Sequence, residues 1–221
     1  MIQKQKNCAI NEKNPDILPG RYYLEIEKEG TELAPWFNYI GVTLAVLKYR
    51  MPNGHFETTL SDVQEAVKIM RQHTEDWGVN PERVGVMGCS AGGNLAIQAS
   101  VQFTSREHRP DFQILLYPFT TMNDFENNIM FGPNPSEELI KKYSVLDHVK
   151  PDTPRAFIAC SADDSIVPFD DSIKYFMELQ AHKIPSVLHI YPTGGHGWCE
   201  GPWFHYSREW KMELERWLSE L

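Results

Sequence analysis

A chain of 221 residues, 42% hydrophobic and 23% charged, has the composition of an ordinary globular protein and the length of one domain with a substantial core. Its formal charge of −9, from 30 acidic and 21 basic residues, lacks the basic face that a nucleic-acid partner requires. No apolar run approaches the length of a membrane span, so neither nucleic acid nor membrane is expected as a partner.

The start, Met1 to Cys8, has no apolar signal region, and Cys8, Cys89, Cys160 and Cys199 show no metal-type or framework spacing. Both features predict reduced thiols in a cytoplasmic protein. Without an internal repeat or low-complexity linker, residues 1–221 read as a single domain, with 1–16 its poorly readable segment.

Residues 1–30 carry little pattern. Asn7 to Pro15 is polar and mixed, and Ile17-Leu18 hints at a buried strand end before Pro19-Gly20. Thr31 to Tyr39 predicts a short helix with Leu33, Trp36 and Phe37 on one face. Val42 to Leu47 is a continuous apolar run, as in a strand buried on both faces, and Arg50-Met51-Pro52-Asn53-Gly54 breaks it. Ser61 to Trp77 predicts an amphipathic helix, with Leu60, Val63, Val67 and Met70 at helical spacing and Ser61 with Gln64 as a capping box. Gly78 and Pro81 end it. Val84 and Val86 then mark a strand, and Asn94 to Ala99 a helix.

Phe112 to Tyr117 is the next strand, stopped by Pro118. Residues 119–135 look like an excursion over the sheet, followed by a short helix from Ser136 to Tyr143. Ala156 to Cys160 reads as a strand and Asp171 to His182 as a helix with Ile173, Phe176 and Met177 inward. Val187 to Tyr191 is the last strand. The final helix, Tyr206 to Leu221, turns Trp210, Leu214, Trp217, Leu218 and Leu221 to the sheet. Strands alternating with helices predict an α/β fold, a mostly parallel sheet with helices on both faces. In such sheets function gathers beyond the carboxyl ends of the strands.

Three of those strand ends carry chemistry. Gly88-Cys89-Ser90-Ala91-Gly92 is a G-x-S-x-G turn between strand and helix, with Gly88 and Gly92 where a side chain would collide with a neighbouring element. Beyond Cys160 comes Ser161-Ala162-Asp163-Asp164-Ser165-Ile166-Val167-Pro168, and beyond Tyr191 comes Pro192-Thr193-Gly194-Gly195-His196-Gly197-Trp198. A serine hydroxyl is a poor nucleophile at neutral pH. A histidine must take its proton, and a buried carboxylate must orient that histidine. Ser90, an aspartate and His196 occur in that order at strand ends; the other seven histidines, His55, His73, His108, His148, His182, His189 and His205, lack such a setting. Asp164 is preferred because it lies three residues before Val167, with Asp163 as the alternative.

Further segments extend the pattern: Tyr49-Arg50, Trp77 to Gly93, Arg109-Pro110-Asp111-Phe112, Asn134 to Glu138, Pro151-Asp152-Thr153-Pro154, Asp163 to Pro168 and Gly194 to Gly197. With these, roughly residues 17 to 221 resemble the α/β-hydrolase branch of small-ester carboxylesterases and acetyl xylan esterases, near the feruloyl-esterase-like and prolyl-oligopeptidase-like hydrolases. The resemblance implies Ser90 as nucleophile, Asp164 as orienting acid and His196 as base. It implies no metal, no cofactor, and acyl esters on sugars, often acetyl, as substrates. The Ala91 N–H is expected to donate to the oxyanion.

The chain departs from that family at its start. Where the family carries a Gly-rich oxyanion loop, this chain reads Pro19-Gly20-Arg21-Tyr22-Tyr23, after a polar Ala9–Asp16, and the usual first strands are missing or degenerate. Gly20 or Arg21 is expected to supply the second oxyanion N–H, with Tyr22 facing substrate; loss of that donor costs about 10²–10³ in kcat. A missing sheet edge favours a homodimer. Trp198, Trp203 and Phe204 either wall the site or pack beneath the last helix. The expected function is a serine esterase acting on small or carbohydrate acyl esters. The alternatives are a peptidase-like hydrolase of the same fold and a non-catalytic binding protein with an impaired oxyanion loop.

Overall fold

The computed structural model describes residues 6–12, 32–121, 124–199 and 201–221. They form one sheet of six strands: β1 (Lys6–Glu12), β2 (Val42–Leu47), β3 (Val79–Cys89), β4 (Phe112–Leu116), β5 (Arg155–Ser161) and β6 (Ser186–Tyr191). The spatial order is β2-β1-β3-β4-β5-β6, and all five pairings are parallel. Eight α-helices accompany them among the described residues: α1 (Ala34–Tyr39), α2 (Phe56–Gln72), α3 (Thr74–Trp77), α4 (Ala91–Val101), α5 (Asp124–Phe131), α6 (Glu137–Lys142), α7 (Asp170–Ala181) and α8 (Ser207–Ser219).

The chain steps outward from β1 to β2, then returns past β1 to build β3 through β6. Strand order therefore reverses between β1 and β3, the position at which open α/β sheets form a crevice beyond their carboxyl ends. Alternation along each strand separates two cores. On one face Val84, Val86, Leu115 and Ile158 meet Val63 and Val67 of α2, Leu95 of α4 and Leu179 of α7. On the other, Met87, Ile114, Leu116 and Phe157 meet Phe37 of α1 and Trp210, Leu214 and Trp217 of α8. The predicted α/β architecture with helices on both faces is the observed one.

Several boundaries differ from the sequence reading. The polar strand lies at Lys6–Glu12 rather than Ala9–Asp16, with Ile10 opposite both Ala45 and Val86. Pairing on both sides holds a segment whose composition is a poor strand signal. Ile17 and Leu18 lie outside the described residues. Helix α2 begins at Phe56, with His55 as N-cap, so Ser61 and Gln64 are interior residues and no capping box forms. Phe56 and Leu60 extend the apolar stripe one turn earlier, and burial of that stripe outweighs a local cap. Helix α3 is separate, closed by Gly78 in the left-handed conformation. The excursion after β4 contains α5. In α7 the buried face is Ser172, Tyr175 and Leu179, whereas Met177 is 65% exposed; a hydrogen bond from the Tyr175 hydroxyl to Gln113 Oε1 sets that rotation.

Candidate active site

Ser90 occupies the turn between β3 and α4 at φ 54° and ψ −116°. A non-glycine residue with positive φ is strained, and the surroundings must hold it there. Its N–H donates to the Leu116 carbonyl of β4 (2.9 Å), and its carbonyl accepts the Asn94 N–H (3.0 Å). Gly88 leaves space for the tight turn, since a Cβ there would overlap the Gly92 carbonyl. Ala91 is the first residue of α4, so its N–H has no acceptor within the helix, and the positive end of the helix dipole lies at the serine.

The loop after β6 brings His196 over this turn. Its Nε2 is 2.8 Å from Ser90 Oγ, and its Nδ1 is 2.7 Å from Asp164 Oδ2. A carboxylate only accepts, so Nδ1–H donates to Asp164 and the Ser90 hydroxyl donates to Nε2. Gly195 and Gly197, at φ 60° and 82°, give the backbone the bends that present the imidazole.

Asp164 lies beyond β5 with its side chain fully buried. Its Oδ1 accepts the N–H groups of Ile166 and Val167, each at 2.9 Å. Burial opposes ionisation, but the hydrogen bonds from His196, Val167 and Ile166 and the attraction of the imidazole outweigh it, holding the carboxyl below its ordinary value. Asp163 does separate work: its Oδ1 accepts the Gly195 N–H at 2.8 Å, pinning the histidine loop from outside.

Four residues that the sequence left unassigned complete the frame. Tyr117, at the end of β4, has φ 40° and is buried. Its N–H donates to the Ala159 carbonyl (2.7 Å), its hydroxyl accepts the Cys199 N–H (3.0 Å), and its ring meets His196 edge-on, with centroids 4.8 Å apart. Ser161 accepts the Trp198 Nε1–H at 2.9 Å. Cys89 and Cys199 touch through their sulfurs. The one sequence cue to Tyr117 was a large polar side chain closing an apolar strand.

Among the described residues, Trp198 meets Tyr117, Phe204 and Trp210. It is fully buried, stacked on Phe204 with centroids 4.3 Å apart, and therefore packs beneath α8 rather than lining a substrate site. The apolar core gains more from a buried indole than an open wall would. Trp203 is 63% exposed. The expected oxyanion residues Gly20 and Arg21, and the expected substrate contact Tyr22, lie outside the described residues. A polar groove of about 550 Å³ lined by Arg83, Arg109, Asp111, Arg155 and Lys183 sits at the amino ends of the strands, remote from Ser90.

Residues 33–200 match the model of a family described as alpha/beta hydrolase fold. The acetylxylan esterase of Xylanibacter ruminicola is 33% identical over 92% of this chain and 45% of its own length. Endo-1,4-beta-xylanase B of Butyrivibrio fibrisolvens is 28% identical over 82% of this chain and 32% of its own. The chain thus spans less than half the length of these curated relatives. Among solved structures, the acetyl ester-xyloside bifunctional hydrolase of Caldicellulosiruptor lactoaceticus superposes with a TM-score of 0.86 at 30% identity, covering all of this chain and 85% of that one. A parallel sheet with serine, aspartate and histidine at the ends of β3, β5 and β6 accords with these matches, and the chain belongs to the alpha/beta hydrolase fold family.

Proposed function

We propose that this chain is a serine esterase that removes small acyl groups, acetyl above all, from carbohydrates. The observation that carries the reading is the unbroken hydrogen-bonded series Ser90–His196–Asp164, at 2.8 and 2.7 Å. In this reading Ser90 Oγ attacks the ester carbonyl while its proton passes to His196 Nε2. Buried Asp164 keeps the other ring nitrogen protonated and stabilises the imidazolium. The Ala91 N–H, at the positive end of α4, steadies the oxyanion as it forms. Collapse breaks the ester C–O bond, and His196 returns the proton to the departing sugar hydroxyl. A water, deprotonated by His196, then attacks the acyl-serine, and expulsion of Ser90 Oγ releases the acid.

The sugar-acetate preference draws on the relatives named for acetylxylan and acetyl ester-xyloside hydrolysis. The second oxyanion donor is assigned to the segment carrying Gly20 and Arg21. The test is hydrolysis of acetylated xylo-oligosaccharide, p-nitrophenyl acetate and p-nitrophenyl octanoate. Acetyl substrates turn over fastest, and Ser90→Ala and His196→Ala each lower kcat by about 10⁴-fold or more. Equal rates for wild type and Ser90→Ala, in folded protein, would overturn the reading.

A further inference from the structure

Beside the serine and histidine lie two thiols that the hydrolytic chemistry does not use. Cys89 closes β3, one residue before Ser90, and Cys199 follows His196 by three. Their sulfurs are 2.8 Å apart, and the residues are 4% and 1% exposed. We infer that Cys89 and Cys199 are an oxidisable pair, a site at which a peroxide closes a disulfide between the serine turn and the histidine loop.

The backbones on both sides are anchored by hydrogen bonds. Cys89 pairs with Leu116 in the β3–β4 ladder, and the next N–H, that of Ser90, donates to the same strand. The Cys199 N–H donates to the Tyr117 hydroxyl, and the preceding Trp198 is anchored through its indole to Ser161. A disulfide needs sulfurs roughly 2.05 Å apart, so the remaining approach lies within the reach of side-chain rotation. Cys160, on β5, is a poorer participant: burial pushes its thiol up to about 11, although a hydrogen bond with Ser172 counters this.

The reaction consumes one peroxide. The first sulfur attacks one peroxide oxygen, the O–O bond breaks, and a sulfenic acid forms with release of water. The second thiol attacks that sulfur, the S–O bond breaks, a second water leaves, and the disulfide remains. Two thiols lose two electrons and two protons in total, and the peroxide takes them up. The product joins residues 110 apart in sequence, and it ties the loop bearing His196 to the turn bearing Ser90. The pairing does not depend on the esterase reading.

The experiment treats the phosphine-reduced 221-residue chain with a small excess of hydrogen peroxide, then alkylates under denaturing conditions and maps the peptides. The expected product is a peptide linking Cys89 to Cys199, lighter by two hydrogens, with Cys160 alkylated. A reductant-reversible rise in Tm of roughly 10–20 °C accompanies it, as for closure of a loop of this length in a chain of this size. Cys89→Ala and Cys199→Ala each remove the linked peptide and the rise, whereas Cys160→Ala keeps both. Free thiols at both positions after peroxide, a sulfinic acid at either, or a link to Cys8 or Cys160 would overturn the assignment.

Discussion

The Tyr117 hydroxyl accepts the Cys199 N–H at 3.0 Å, so a side chain at the end of β4 holds the loop that carries His196 after β6. The same ring lies edge-on to the imidazole. Tyr117→Phe keeps the ring and deletes the hydroxyl that accepts the Cys199 N–H, at a cost of about 1–3 kcal/mol. The expected outcome is a kcat up to about tenfold lower with little change in KM, together with a Tm lower by about 2–4 °C per kcal/mol lost. Steady-state kinetics and thermal melts on one preparation check both.

Asp164 and Asp163 are adjacent but hold different atoms of the histidine loop, the imidazole Nδ1 and the Gly195 N–H. In Asp164→Asn the amide oxygen keeps the N–H groups of Ile166 and Val167 and a donating NH2 faces Nδ1, which favours the wrong tautomer, and kcat falls by about 10⁴-fold. Asp163→Asn retains an acceptor oxygen at an exposed site and lowers kcat by less than about tenfold. Side-by-side kcat values on p-nitrophenyl acetate separate the two roles.

The depressed carboxyl of Asp164 makes stability depend on acid in a defined direction. Its ordinary value is 3.8, and the folded value is lower. Between the two values the unfolded chain binds more protons, so stability rises with pH there. The contribution is fully present above the ordinary value and is lost as pH falls through the folded one. Urea midpoints measured from pH 6 downward should therefore fall less steeply below the ordinary value in Asp164→Asn than in wild type.

Trp198→Phe tests the burial of that ring. The change removes the hydrogen bond to Ser161 and part of the stacking on Phe204. Stability falls by about 1–3 kcal/mol. The KM for an acetylated oligosaccharide stays within about twofold, the result expected of a residue that substrate does not touch. A large KM change at unaltered stability would return Trp198 to the binding surface.

The sequence was most legible where one signal dominated. Val42 to Leu47 is strand β2 residue for residue, although it lies at the edge of the described sheet with only Val42 buried rather than covered on both faces. Ser90, Asp164 and His196 could be singled out because each ends a recognisable strand, and the structure brings their reacting atoms within hydrogen-bond distance. Legibility failed where tertiary pairing overrides local pattern. Lys6–Glu12 is too polar to announce a strand, yet β2 and β3 flank it. Met177 fits the apolar stripe of α7 by type, but Tyr175 sets the rotation of that helix. Trp198 shows the remaining gap: proximity to His196 in sequence does not reveal which way a ring points.

Strand β4 contributes no reacting atom, yet it stands between the strand that ends at Ser90 and the strand that leads to Asp164. Two inter-strand spacings of about 4.8 Å separate those strand ends, a gap too wide for a serine and an aspartate to close unaided. An imidazole arriving from β6 fills it. Strand β4 is thus a gauge block, and the width of the site is a multiple of the backbone hydrogen-bond repeat rather than a product of side-chain packing. Conservative apolar exchanges at Ile114 or Leu115 alter how firmly the sheet holds together while leaving that width as it is.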